Sequence, residues 1–397
     1  MRNDFSLSSA DTADDLERLR VFVAAGGAAA TAGLDKHLAR PRYRPAFTRM
    51  AERAGQISGY ALLGHERLRL GAATLECGRL AALDAGQDDP GLFTTLLGDC
   101  LRVLAEEGLA LALPHGSLDK YGPFGFAEYC LDSTVKCWDP DQHQGDQLRP
   151  ALEADLEDIT ALYEASYSRL PLTQIRAAPD WRHWLASQRA VWGLEDTRGR
   201  LVAYAAIEAR APDEPRAALE IDEAGAADAG AARSLCLMLL RQAQEQDNAL
   251  LLLRLSPWHV VAQAALQLQG QITLAAPQPV SDMQLAGVVD LPMLLEALAP
   301  ELERRLELSR YAGWSGNLRL ELETERIVVA FAEGRASVID GSRPADLRLR
   351  RINLPGLAQL CLGYRAAADL RATGGLDCDD AALGLLDALF PVVFATK

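Results

Sequence analysis

At 397 residues the chain is too long for one ordinary hydrophobic core, so two or three domains are expected. Hydrophobic residues make up 49% and charged residues 24%, the balance of a folded globular protein rather than a disordered one. The net charge of −15 argues against a nucleic-acid partner, whose phosphates call for Lys and Arg, and no apolar run approaches the roughly 18 residues of a membrane helix.

The N-terminus, MRNDFSLSSADTADD, turns acidic at once and has no apolar segment, so it does not read as a signal peptide. The cysteines (Cys77, Cys100, Cys130, Cys137, Cys236, Cys361, Cys378) are odd in number and lack a CxxC pair. That suits a reducing cytoplasm and gives no disulfide framework or zinc motif. The histidines are dispersed, so no metal site is expected. The acidic surface could draw a cationic substrate such as an amine, or simply keep the protein solvated.

In chain order, Ala13-Asp14-Asp15-Leu16 reads as a capped helix start. An Arg- and Pro-rich linker follows from Arg40 to Arg53, then strands over Gly55–Leu63 and Arg67–Cys77. Next comes a strand into Leu83, a loop ending at Gly91, a helix stopped by Gly108 and a strand at Leu109–Leu113. The aromatic turn Tyr121-Gly122-Pro123-Phe124-Gly125-Phe126 completes this stretch. A loop that opens a helix after a strand presents backbone N–H groups and a helix dipole, which suit a phosphate. Cys130–Lys136 reads as a further strand and Asp139–Gly145 as a polar linker.

The pattern then recurs about 140 residues on. Arg149 to Ile159 repeats the acidic helix start, and Gly199–Ile207 repeats the turn glycine and strand of Gly55–Leu63. A strand at Leu219-Glu220-Ile221, a helix over Ala226–Gln246, a strand over Ala249–Leu255 and a helix from Pro257 to Leu268 complete the second copy. Its loop, Glu223 to Gly230, carries no Arg or Lys and is not read as a phosphate site. From Val288 the character changes. A helix at Pro292–Arg310 is followed by period-two strands at Asn317–Glu323, Arg326–Ala332, Ala336–Asp340 and Leu347–Arg350, then helices at Pro355–Tyr364 and Asp379–Leu389. The expected division is 1–140, 146–285 and 286–397: two mixed α/β units and a C-terminal α+β domain.

The layout, the YGPFGF turn, and Leu357-Ala358-Gln359-Leu360 with Gly363-Tyr364 resemble the Gcn5-related N-acetyltransferases of the enhanced intracellular survival (Eis) type. The resemblance spans essentially the whole chain. It implies tandem acetyltransferase folds, each a mixed sheet flanked by helices, with the second copy non-catalytic. It also implies a C-terminal domain like sterol carrier protein, use of acetyl-CoA, a small-molecule or peptide amine acceptor, and a symmetric homo-oligomer. The family holds the CoA diphosphate in a loop R-x-x-G-x-G/A. Here Leu83 and Ala85 precede the loop, Asp88 takes the Arg place, Gly91 the first Gly place and Phe93 the last, with Leu92 between them and Leu96-Leu97 after. An acid thus stands where the family has a cation, beside a second acid, Asp89. A bulky ring stands where the family has a small residue, and Pro90 removes one N–H. The expected cofactor contacts are Leu80, Ala81, Ala82, Leu83, Asp88, Asp89, Gly91, Leu92, Phe93 and Thr94.

Transfer of an acyl group to an amine needs a polarised thioester carbonyl, a base for the amine and a proton for the departing thiolate. The resemblance assigns the polarising N–H to the strand around Leu80 to Leu83 and the proton to Tyr121, whose bland alternative is packing against Phe124 and Phe126. It assigns the base to the C-terminal carboxylate of Lys397. Glu76, on the strand TLECGRL, is a rival base or a solvent-facing strand residue. His115 reads as a loop histidine, Trp181, Trp184 and Trp192 as core or interface, and the cluster Arg40, Arg42, Arg44, Arg49 and Arg53 as a solvated linker or an attraction for a 3′-phosphate. Two classes of function remain: an acetyl-CoA-dependent N-acetyltransferase, or a catalytically weak relative acting as a scaffold or as a binder of an apolar ligand or partner.

Overall fold

The computed structural model describes residues 5–85, 89–137, 148–188, 190–207, 218–245, 250–268, 270–275, 283–323, 325–393 and 395. It divides into two compact units, Met1–Tyr129 with Gln278–Val393, and Cys130–Pro277 with Phe394–Lys397.

The first unit opens with β1 (Ser6–Ser9), α1 (Ala13–Ala24) and α2 (Ala28–Leu38). Thr12 and Asp15 close a reciprocal capping box that fixes the start of α1. Strands β2 (Thr48–Arg53), β3 (Gln56–Leu70) and β4 (Ala73–Asp84) form an antiparallel meander. β2 lies inside the expected linker, because Thr48 to Ala51 are all buried. β3 is one continuous strand where two were expected. Its turn falls at Gly71, whose φ of +60° suits glycine. Then come α3 (Pro90–Glu106), β5 (Leu111–Gly116), α4 (Leu118–Tyr121) and the two-residue β6 (Ala127–Glu128). α3 buries Leu92, Phe93, Leu96, Leu97, Cys100, Val103 and Leu104 in a core shared with β3, β4 and β5.

The second unit contains β7 (Asp132–Cys137), β8 (Arg149–Pro150), α5 (Leu156–Tyr167), β9 (Thr173–Gln174), α6 (Ala178–Ser187), β10 (Ala190–Glu195) and β11 (Leu201–Ile207). It continues with β12 (Leu219–Ile221), β13 (Glu223–Ala226), α7 (Ala229–Glu245), β14 (Leu251–Leu253), α8 (Val260–Gln267) and β15 (Gln271–Ala275). Its two sheets run β13-β11-β10-β8 and β12-β14-β7-β15. β7 lies within the stretch 1–140 read as the first copy, yet it pairs antiparallel with both β14 and β15. At the far end of the chain the Leu131 N–H donates to the Ala395 carbonyl at 2.9 Å.

The chain then returns to the first unit. β16 (Met283–Val288) inserts between β5 and β6, antiparallel to both, giving the order β1-β2-β3-β4-β5-β16-β6. α9 (Leu291–Glu307) follows, and its buried Glu301 accepts the Ala72 N–H at 2.8 Å and holds Arg304 and Arg305. β17 (Gly316–Glu321), β18 (Arg326–Ala332), β19 (Arg335–Asp340) and β20 (Leu347–Ile352) come next, followed by α10 (Leu354–Cys361), α11 (Ala367–Ala372), β21 (Leu376–Cys378) and α12 (Asp380–Leu389). The fourth sheet runs β19-β18-β17-β20-β21. No helix among the described residues is long and apolar enough to cross a membrane.

Candidate active site

The parallel strands β4 and β5 and the helix between them set the geometry. Their ladder pairs Cys77–Leu80 with Leu111–Pro114. Pro114 has no N–H, so it cannot carry the ladder further. Beyond it Ala82–Asp84 pair with Tyr60–Leu62 of β3. On that side Leu62 pairs with Ala82 and Leu63 with Leu80, leaving Ala81 as the extra residue of a β-bulge. A bulge twists the strand and re-aims the backbone beside it. The carboxyl ends of β4 and β5 and the first turn of α3 therefore meet at one end of the sheet, the usual place for a ligand in such a unit.

The helix start is occupied. Asp89 is the N-cap of α3, and its Oδ1 accepts the Leu92 N–H at 3.0 Å. Its Oδ2 accepts from Arg53 Nη2 at 2.9 Å, and the Arg53 guanidinium lies over the Phe5 ring at 4.2 Å. The Leu92 N–H, with Arg53 behind it, holds the Asp89 carboxyl below its ordinary pKa. Gly91 and Thr94 are exposed on the first turn, where Thr94 bonds back to the Pro90 carbonyl. Asp88 lies outside the described residues, as does Lys397 with its carboxylate.

Phe93 points inward and is 8% exposed. Its ring meets Tyr121 edge-on at 5.5 Å and Phe124 at 5.7 Å, and the Lys120 ammonium sits 4.6 Å over it. Tyr121, the last residue of α4, also meets Phe126 at 5.6 Å. Gly116, just after Pro114 and His115, leaves room for the ring, since a Cβ there would lie 3.0 Å from it. Burial pushes the Tyr121 phenol up to about 12, which keeps its proton on at neutral pH. The structure thus brings together Leu80–Leu83, Asp89, Gly91–Thr94 and Tyr121. Glu76 stands apart, five residues before the bulge, bonded to His65 at 2.5 Å and Arg67 at 3.0 Å.

No local signal pairs Arg53 with the helix start, because its partner Asp89 is distant in the chain. Three of the five arginines in the cluster pair with acids. Arg49 is buried against Asp99 at 2.6 Å, Arg44 pairs with Glu107, and Arg53 caps the Asp89 pair. In the second unit, Asp228 bonds the Ala231 N–H at 2.8 Å at the start of α7, so an aspartate closes this strand-to-helix turn too. There Arg176 lies over Tyr163, Trp181 and Trp184 at 4.7 to 5.3 Å and forms two bonds to Glu223, which also accepts from Tyr204. Trp181 and Trp184 are therefore core residues around an internal cation.

Comparison with known proteins places the architecture. Residues 318–393 match the sterol carrier protein domain. A GCN5-related N-acetyltransferase from Anabaena variabilis aligns with 99% of this chain and 98% of its own, at 15% identity and a TM-score of 0.74. One from Kribbella flavida aligns over 99% and 97% at 15% identity and 0.72. Eis1 from Mycobacterium abscessus aligns over 99% and 98% at 15% identity and 0.64. No curated protein sequence matches the chain. At these identities the likeness establishes the fold.

Proposed function

We propose that this chain, which has the fold of the Gcn5-related N-acetyltransferases of the Eis type with a C-terminal sterol carrier protein domain, is an acyl-CoA-dependent N-acyltransferase acting on an amine. The observation that carries this reading is the convergence of the Ala81 bulge, the end of the β4–β5 ladder at Pro114, and Tyr121 at one end of the first sheet.

The residues fit the acyl end of acetyl-CoA. Backbone N–H groups of Ala81 to Leu83 would hold the carbonyl oxygen, in the gap the ladder leaves. Acetyl-CoA would supply the thioester, and the acceptor amine the nucleophile. Tyr121, neutral at pH 7, holds the proton that a thiolate requires. The diphosphate end fits only once the Asp89–Arg53 pair opens. Arg53 then offers the cation that the loop lacks, while the Asp89 carboxylate as it stands repels a phosphate.

A second reading, a non-transferring relative serving as scaffold or ligand binder, is favoured by that same closed pair. Titration calorimetry with acetyl-CoA separates the two. Heat of binding with a dissociation constant below about a millimolar supports the enzyme, and no heat at that concentration would leave the scaffold.

A further inference from the structure

The third domain closes on the turn that carries Tyr121. Gly125, at φ +89°, has the Leu354 side chain 3.3 Å from where a Cβ would stand. Three residues on, the Glu128 carboxylate accepts from Tyr364 Oη at 2.8 Å and its carbonyl accepts from Gln359 Nε2 at 3.3 Å. Leu354 and Gln359 lie on α10. Tyr364 follows it and donates its own N–H to the Gln359 carbonyl at 2.8 Å. Between the two clamped positions lies Phe126, 2% exposed, whose ring forms one wall of the Tyr121 site. Gly287 of β16 makes the space for that ring, since a Cβ there would fall 2.6 Å from it.

The short strand needs this help. β6 has only two residues, paired with Leu285 and Ala286, and so brief a ladder fixes a segment weakly. A phenol donating to a carboxylate is a charge-assisted bond, stronger than a neutral one. Gln359 and Tyr364 belong to the sequence feature that marks the third domain, and neither has a role in the chemistry above.

We propose that Tyr364 and Gln359 are positioning residues that hold Phe126, and through it the Tyr121 ring, so that the third domain is a working part of the first domain's site. The consequence for turnover rests on the reading of Tyr121 as the acid. The placement of its ring does not.

The test uses the full chain labelled with 3-fluorotyrosine, with the Tyr121 fluorine resonance assigned by its loss in Tyr121→Phe. In Tyr364→Phe, which keeps the ring and loses only the hydroxyl, the Tyr121 resonance should shift or broaden, and amide exchange in the segment 125–129 should rise about tenfold. Glu128→Gln keeps an oxygen that accepts from Tyr364 in a weaker, neutral bond and should move the resonance less than Tyr364→Phe does. With acetyl-CoA and spermine as the amine probe, Tyr364→Phe should lower kcat about tenfold while KM for acetyl-CoA holds. An unmoved Tyr121 resonance in a folded Tyr364→Phe protein overturns the proposal. A wild type that neither binds acetyl-CoA nor acylates spermine overturns the acyltransferase reading instead, and the resonance still decides the clamp.

Discussion

The Asp89 carboxylate bonds the Leu92 N–H at 3.0 Å with one oxygen and the Arg53 guanidinium at 2.9 Å with the other. In the proposed acyltransferase it would sit where a diphosphate oxygen is received. Asp89→Ser keeps a good helix cap and removes the charge. Acetyl-CoA affinity should rise about tenfold, as loss of one like charge near the site requires. Calorimetry on both proteins checks this. Equal affinities would take Asp89 out of the cofactor site.

Tyr121→Phe removes the hydroxyl and keeps the ring that packs on Phe93 and Phe126. Stability should hold, acetyl-CoA affinity should hold, and turnover should fall by about tenfold or more. A variant as fast as the wild type would remove Tyr121 from the chemistry.

Asp99 and Arg49 are each 7% exposed and bonded at 2.6 Å, with Arg102 also on Asp99. Asp99→Ala leaves Arg49 buried and alone, at a cost of about 3–5 kcal/mol. Urea unfolding measures it, and a loss under about 1 kcal/mol would mean that water reaches Arg49.

Much of this was legible in the sequence, and the exceptions have physical causes. The capping residues, the period-two strands of the third domain and the YGPFGF turn are local signals, and local signals survive without the fold. The expected break between Leu63 and Arg67 is absent because Gly64 there is a packing glycine inside β3, where a Cβ would fall 2.3 Å from the Arg40 guanidinium. Phe93 looked like an obstacle in the loop. Its ring turns inward because the first turn of α3 already faces the core, and only the contact with Tyr121 shows that. The Asp89–Arg53 and Glu128–Tyr364 bonds join residues far apart in the chain, so no local pattern could reveal them.

Acid should destabilise the protein through two buried histidines. Burial, aided by Arg40, holds His37 down to about 4, and burial holds His259 there too, against an ordinary value of 6.5. The folded chain therefore binds fewer protons than the unfolded one between these values. The stability from keeping them neutral is fully present above pH 6.5 and is lost as pH falls toward 4. His259 accepts the Val261 N–H as the cap of α8, and Asn can replace it there. His259→Asn should flatten the pH dependence of the guanidinium midpoint between pH 7.5 and 5, and an unchanged slope would falsify the assignment.

Synthesis imposes an order on the first sheet. β5 finishes at Gly116, yet its neighbour β16 leaves the ribosome only at Val288, and β7, made earlier, finds its partners in β14 and β15. Until then the growing chain carries a bare β5 edge, open to the wrong partners. A gene cut after residue 140 should therefore yield an insoluble product, although the sequence up to that point reads as a complete enzyme domain. Supplying the rest of the chain on a second plasmid should restore solubility.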